Sequence, residues 1–164
     1  MVNVNKSFLL VLMIAGFYLT SFAQNDSAGL KKLTQRADVI LTGKVIHKHS
    51  SWNENKTRIY TKTTVQVEEY LKGKRNGDAV EITYAGGEVG EVGELYTHMP
   101  KFENNEQVLV FLKKDQKKKE YKVLNGEEGK ITLQSDAKTN EKVIKSKVQI
   151  TDLKSKIKSY LEGQ

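Results

Sequence analysis

The feature that most constrains this chain is a strict period of two along residues 58–71. Ile59, Thr61, Thr63, Val65 and Val67 fall on one side, while Arg58, Tyr60, Lys62, Thr64, Gln66 and Glu68 fall on the other. Successive side chains of a strand point to opposite faces, so this stretch predicts one long half-buried strand and not a helix. Val39, Leu41, Gly43 and Val45 alternate in the same way and predict a strand just before it. The polar run from His49 to Lys56 reads as the hairpin loop joining the two. Val80, Ile82 and Tyr84 mark a third strand. The nearly continuous apolar run Val108–Leu112 predicts a central strand covered on both faces. Tyr121–Leu124 and Lys130–Gln134 read as a further hairpin around Asn125-Gly126, a dipeptide suited to tight reversal, and residues 139–148 as a last irregular strand.

Two helices flank these strands. Asp26–Arg36 places Leu30 and Leu33 on one face. Residues 150–161 place Ile150, Leu153, Ile157, Tyr160 and Leu161 on one stripe, with Gly163 as a stop. The expected fold class is mainly β with flanking helices. In full it is a small closed five- to six-stranded antiparallel OB-like barrel, with an N-terminal helix and a C-terminal amphipathic helix.

The first 23 residues predict an address and not a part of the fold. Lys6 precedes an apolar run from Phe8 to Leu19, shorter than the roughly 20 residues a membrane span requires. Ser21 and Ala23 then supply the small residues of a cleavage site. The expected organisation is a signal peptide over 1–23 and one domain over 24–164, with no transmembrane span after processing. The chain has no Cys. That excludes disulfides, thiolate metal sites and a Cys nucleophile, and it fits a bacterial periplasm or exterior better than a small disulfide-rich eukaryotic module.

Several stretches resemble secreted bacterial netrin-like domains, the OB-fold type shared with tissue inhibitors of metalloproteinases. They are Ala37–Val45, Val65–Gly73, Ala85–Gly90, Pro100–Phe102, Glu106–Leu112 and Gly129–Ile131. The resemblance implies the barrel and an exported, non-catalytic role. It does not carry over metalloproteinase inhibition, because the N-terminal Cys those inhibitors use is missing.

Three constellations bear on function. The segment 85–102 is rich in Gly and Glu, and residues 81–106 hold six acids against Lys101. A long loop inside a compact domain is often functional. Gly86, Gly87, Glu88, Glu91, Glu94, His98 and Phe102 are therefore the candidate contact residues for an unknown protein or surface ligand. Clustered carboxylates can also bind calcium, or simply form a solvated acidic insertion. Trp52 lies at the barrel end, either as an exposed anchor or as a plug. His47 and His49, two apart on a strand, share a face and would need His98 or a Glu to complete a metal site; the alternative is two polar residues at a strand end. Finally, residues 24–112 carry 12 bases and 12 acids, whereas residues 113–164 carry 14 Lys and 8 acids. All the basic excess sits in the last third, where it predicts either a polyanion-binding face or ordinary solubility. No Ser-His-Asp order or paired-carboxylate motif is present, and Glu68 and Glu69 point to opposite faces of their strand. The sequence thus points to a non-enzymatic binding module without a resident cofactor. A Lys-rich polyanion binder and a His-dependent metal hydrolase are the alternatives.

Overall fold

The computed structural model of the chain describes residues 21–73, 77–116, 120–135, 142–144 and 149–163. The chain divides into a unit of residues 1–32 and a unit of residues 33–164. Most of the first unit, including most of the expected signal peptide, lies outside the described residues. What is described of it belongs to a helix, α1, spanning Ser21–Arg36.

The second unit begins with two 14-residue strands, β1 (Val39–Trp52) and β2 (Ile59–Lys72). β1 runs further toward the intervening turn than the sequence suggested, because Asn53 makes that turn tight. Its side-chain oxygen accepts the backbone N–H groups of Thr57 and Arg58 at 2.7 and 3.0 Å. β3 (Ala79–Ala85) pairs with the far edge of β2. A small two-stranded hairpin follows, β4 (Gly87–Val89) and β5 (Val92–Glu94). β6 (Gln107–Lys114) then returns to pair with β1 over Val39–Lys44. β7 (Tyr121–Val123) pairs with β6 and, in parallel, with β3 through Ile82 and Tyr121. The ring β1-β2-β3-β7-β6 closes a five-stranded barrel.

One expectation about this barrel is corrected. It is not wholly antiparallel, and with five strands it cannot be. Directions that alternate around an odd ring must coincide at one seam, which here is β3–β7. A second correction concerns Asn125-Gly126. Both residues do adopt positive φ, 54° and 62°, yet no hairpin forms. A 3-10 turn, Gly126–Gly129, follows, and β8 (Lys130–Ser135) continues along the same edge of β6 that β7 occupies. That edge is vacant below Leu112, so β8 gains more bonds there than by folding back on the three-residue β7. β9 (Lys142–Ile144), within the stretch expected to be irregular, adds to β8.

The barrel interior is filled by Val39, Leu41, Val45, Val65, Ile82, Val108, Val110 and Leu112, together with Phe102 from the segment between β5 and β6. Ile40, Leu109 and Phe111 lie outside that cluster but are also fully buried. The β1–β6 pair is therefore covered on both faces, as the apolar run Val108–Leu112 indicated. α2 (Ile150–Glu162) buries Ile150, Leu153 and Ile157, three members of its expected stripe, and Lys154 reaches Glu69 of β2 at 2.5 Å.

Candidate binding grooves at the open end of the barrel

The site is built where β1 outruns β6. A bulge between Val45 and His47 leaves Ile46 without a register partner on β2. One extra residue flips the alternation. His47 and His49, which strict alternation from Val45 would aim inward, become exposed instead, while Lys48 and Ser50 take the inner positions opposite Thr63 and Thr61. The two imidazoles do share a face, with rings parallel within 7° and centroids 6.5 Å apart.

His98 does not join them. It sits at φ 63° with its Nδ1 3.6 Å from a Glu127 carboxylate oxygen. Its carbonyl accepts the Glu127 N–H at 2.9 Å, an approach that only a glycine at 126 permits, since a Cβ there would come 2.0 Å from that oxygen. Among the described residues no three His, Cys, Asp or Glu side chains form a group that could hold a metal. The expected set of His47, His49 and His98 is thus not assembled.

The Gly/Glu segment is an ordered hairpin, and its residues divide by role. Ser50 donates to Thr61 Oγ1 (2.9 Å), which donates to the Gly86 carbonyl at 2.6 Å. Gly87 lies so close over these two hydroxyls that a Cβ would meet them at 2.3 and 2.4 Å, and its φ is +131°. Gly86 and Gly87 therefore seat the hairpin on β1 and β2. Glu94 is a clasp: its carboxylate accepts the Ile59 N–H and the Tyr96 hydroxyl, both at 3.0 Å. The Tyr96 hydroxyl is held above its ordinary pKa by that hydrogen bond. Phe102, 1% exposed, packs on Tyr84 with ring centroids 5.7 Å apart. It lines the floor of the groove as a buried side chain. Glu88 and Glu91 remain on the exposed outer rim.

The return arm is pinned by a half-buried polar network. Lys130 Nζ donates to Glu106 Oε1 at 2.6 Å and to the Lys101 carbonyl, and lies 5.1 Å from the Phe102 ring centroid. Thr132 and the Glu103 N–H also donate to Glu106. Burial alone would raise the Glu106 pKa, but these donors outweigh it and hold the carboxyl below its usual range. Lys48 Nζ donates to the Phe102 carbonyl at 3.0 Å.

Two grooves result. The first, of about 940 Å³, runs between the inner face at Lys48, Ser50 and Thr61 and the hairpin with Leu95 and Met99. Val92, Leu95 and Met99 are exposed large apolar side chains, Leu95 at 77%. They are not among the Gly and Glu candidates; apolar residues inside an otherwise turn-rich, acidic segment are the sequence signal that marks them. The second groove, of about 780 Å³, lies along the β3–β7 seam and takes in Trp52. Trp52 is half-buried on its wall, between the two roles left open for it. Thr83 also lines this groove. Its Oγ1 is buried with no hydrogen-bond partner, a state that costs about 1–3 kcal/mol.

The Lys-rich third is less bare than its composition implies. Lys113 pairs with Asp38 at 2.7 Å, Lys122 with Asp115 at 2.9 Å, Lys130 with Glu106 and Lys154 with Glu69. Burial alone would raise the Asp38 pKa; Lys113 and the Lys114 N–H outweigh it and lower it. Lys117–Lys119 and the lysines at 138, 145 and 147 lie outside the described residues. Among the described residues no helix is long and apolar enough to cross a membrane. The chain matches no protein-family model, and no curated protein matches it.

Proposed function

We propose that this protein is an exported, non-enzymatic binding module that engages a partner protein through the β4–β5 hairpin and the arm that follows it. One observation carries the reading. Val92 on the hairpin and Leu95 and Met99 on the arm after it stand exposed beside a groove, with the hairpin held by Gly86, Gly87 and Glu94 and the arm by Glu106. Apolar side chains on a pre-organised support lose little freedom on binding, which favours affinity. Glu88 and Glu91 on the rim favour a partner with basic residues around an apolar centre. Export rests on the residue pattern of 1–23. An OB-like assignment is supported by the ring order β1-β2-β3-β7-β6 with its one parallel seam. The netrin-like reading rests on the resembling stretches alone.

Capture from the producing cell's envelope and culture fluid tests this, with the wild type beside a Val92→Ser/Leu95→Ser/Met99→Ser variant and a Glu88→Lys/Glu91→Lys variant. A protein retained by the wild type at high salt should be lost by the first variant and weakened by the second. Equal recovery by all three overturns the reading.

A further inference from the structure

The second groove adjoins the first at Tyr84 and Met99, but its remaining walls have a different chemistry, and its ligand does not depend on the reading above. It exists because the parallel seam of the barrel closes at a single residue pair, Ile82 with Tyr121. Beyond that pair β3 and the segment after Tyr121 part, and the opening is walled by Thr83 and Tyr84 on one side and Val123 on the other. Trp52 and Tyr60 extend the wall along β1 and β2. Its volume of about 780 Å³ falls in the roughly 300–1,000 Å³ range of small-molecule sites.

From these features we propose that the parted seam binds a neutral oligosaccharide. Trp52 and Tyr60 offer flat apolar area together with polar tips, which suits a ligand with apolar ring faces and a polar rim, and Tyr84, whose ring packs on Phe102, closes the wall beside them. The charges around them are already balanced. Lys62 pairs with Glu81 at 2.9 Å and Glu120 at 3.5 Å, and Lys122 pairs with Asp115 at 2.9 Å. Lys62 is accordingly held above its ordinary pKa by Glu81. A phosphate or sulfate would have to break those pairs, whereas a neutral ligand leaves them intact. Thr83 lines the groove at 8% exposure, and its Oγ1, buried without a hydrogen-bond partner, is a group that a sugar hydroxyl satisfies once the side chain rotates toward the groove. Glu54 and Asn55 at the exposed hairpin tip supply further acceptors and donors on the rim.

Trp52 is the chain's single tryptophan, so its emission reports on this groove alone. The experiment titrates the purified full-length protein with cellohexaose, laminarihexaose, maltohexaose and chitohexaose to millimolar concentration, by fluorescence and by calorimetry. At least one should shift the emission and release or absorb heat, with little dependence on salt. By calorimetry Trp52→Ala should weaken that binding by about tenfold or more, whereas Trp52→Phe, which keeps an aromatic face, should lose less. Thr83→Val, of similar shape without the hydroxyl, should weaken it by severalfold. Leu95→Ser, on the arm after the hairpin and outside this groove, should leave it unchanged. The proposal is overturned if none of the four saccharides binds. It is also overturned if binding survives in Trp52→Ala, or if only a sulfated glycan binds and does so with steep salt dependence. Circular dichroism of each variant separates lost binding from lost folding.

Discussion

The two halves of β1 belong to one continuous strand but obey different rules. From Ile40 to Val45 it is bonded on both edges, to β2 and to β6 or the segment just before it. Ile40, Leu41 and Val45 there are fully buried. From Ile46 to Trp52 its register partners are on β2 alone, and its side chains line grooves or face solvent. The change occurs at a one-residue bulge. The lower half is held by packing, so its residues answer to volume and apolarity. The upper half is released from that demand and can carry histidines, a lysine, serines and a tryptophan as working surface.

The comparison can be broken most directly at Phe102, where the upper segment is anchored in the lower core. Phe102→Ala should cost about 3–5 kcal/mol by denaturant melting and should also disorder the hairpin; a cost under about 1 kcal/mol would mean that the arm is not anchored there. Next, Leu41→Ala should cost about 2–5 kcal/mol, whereas Ile46→Ala, five residues along and half exposed, should fall within about 0.5 kcal/mol of wild type. Equal costs would abolish the distinction between the halves.

The Glu106–Lys130 pair sharpens the comparison through pH. The folded Glu106 pKa is lowered, so the stability it contributes is present above its unfolded value and is lost as pH falls through the folded one. Urea midpoints should therefore drop on acidification below about pH 4.5, near the ordinary value of the carboxyl. Glu106→Gln should flatten that drop and destabilise the protein at neutral pH by less than the roughly 3–5 kcal/mol of a fully buried pair. An unchanged acid profile would show that Glu106 is not the group responsible. Gly87→Ala should cost about 1–3 kcal/mol, since its φ is strained for any other residue and two hydroxyls occupy the Cβ position. Smallest of all, Glu88→Ala and Glu91→Ala should stay within about 0.5 kcal/mol and affect only partner binding.

Much of the barrel was legible because alternation reports burial directly, and the central run Val108–Leu112 was legible because a strand covered twice has no polar face. The site was legible only as a region. Gly86 and Gly87 were found by their composition, but Glu94 looked like its neighbours Glu88 and Glu91 until the Ile59 N–H, 35 residues away in sequence, proved to be its partner. Phe102 looked like a loop aromatic because nothing local says that the interior of the barrel lies beneath it.

By itself, then, the sequence determined the strand faces, the amphipathic C-terminal helix and the ordered turn residues, since each depends on neighbours a few positions away. Tertiary structure decided the direction of the chain after Asn125-Gly126, the orientation of His47 and His49, and the separation of His98 from them. It also decided where the seam parts to expose Trp52. Those outcomes turn on which strand edge was vacant, where one extra residue shifted the register and the odd number of strands in a closed ring, and none of these is a property of any short stretch of chain.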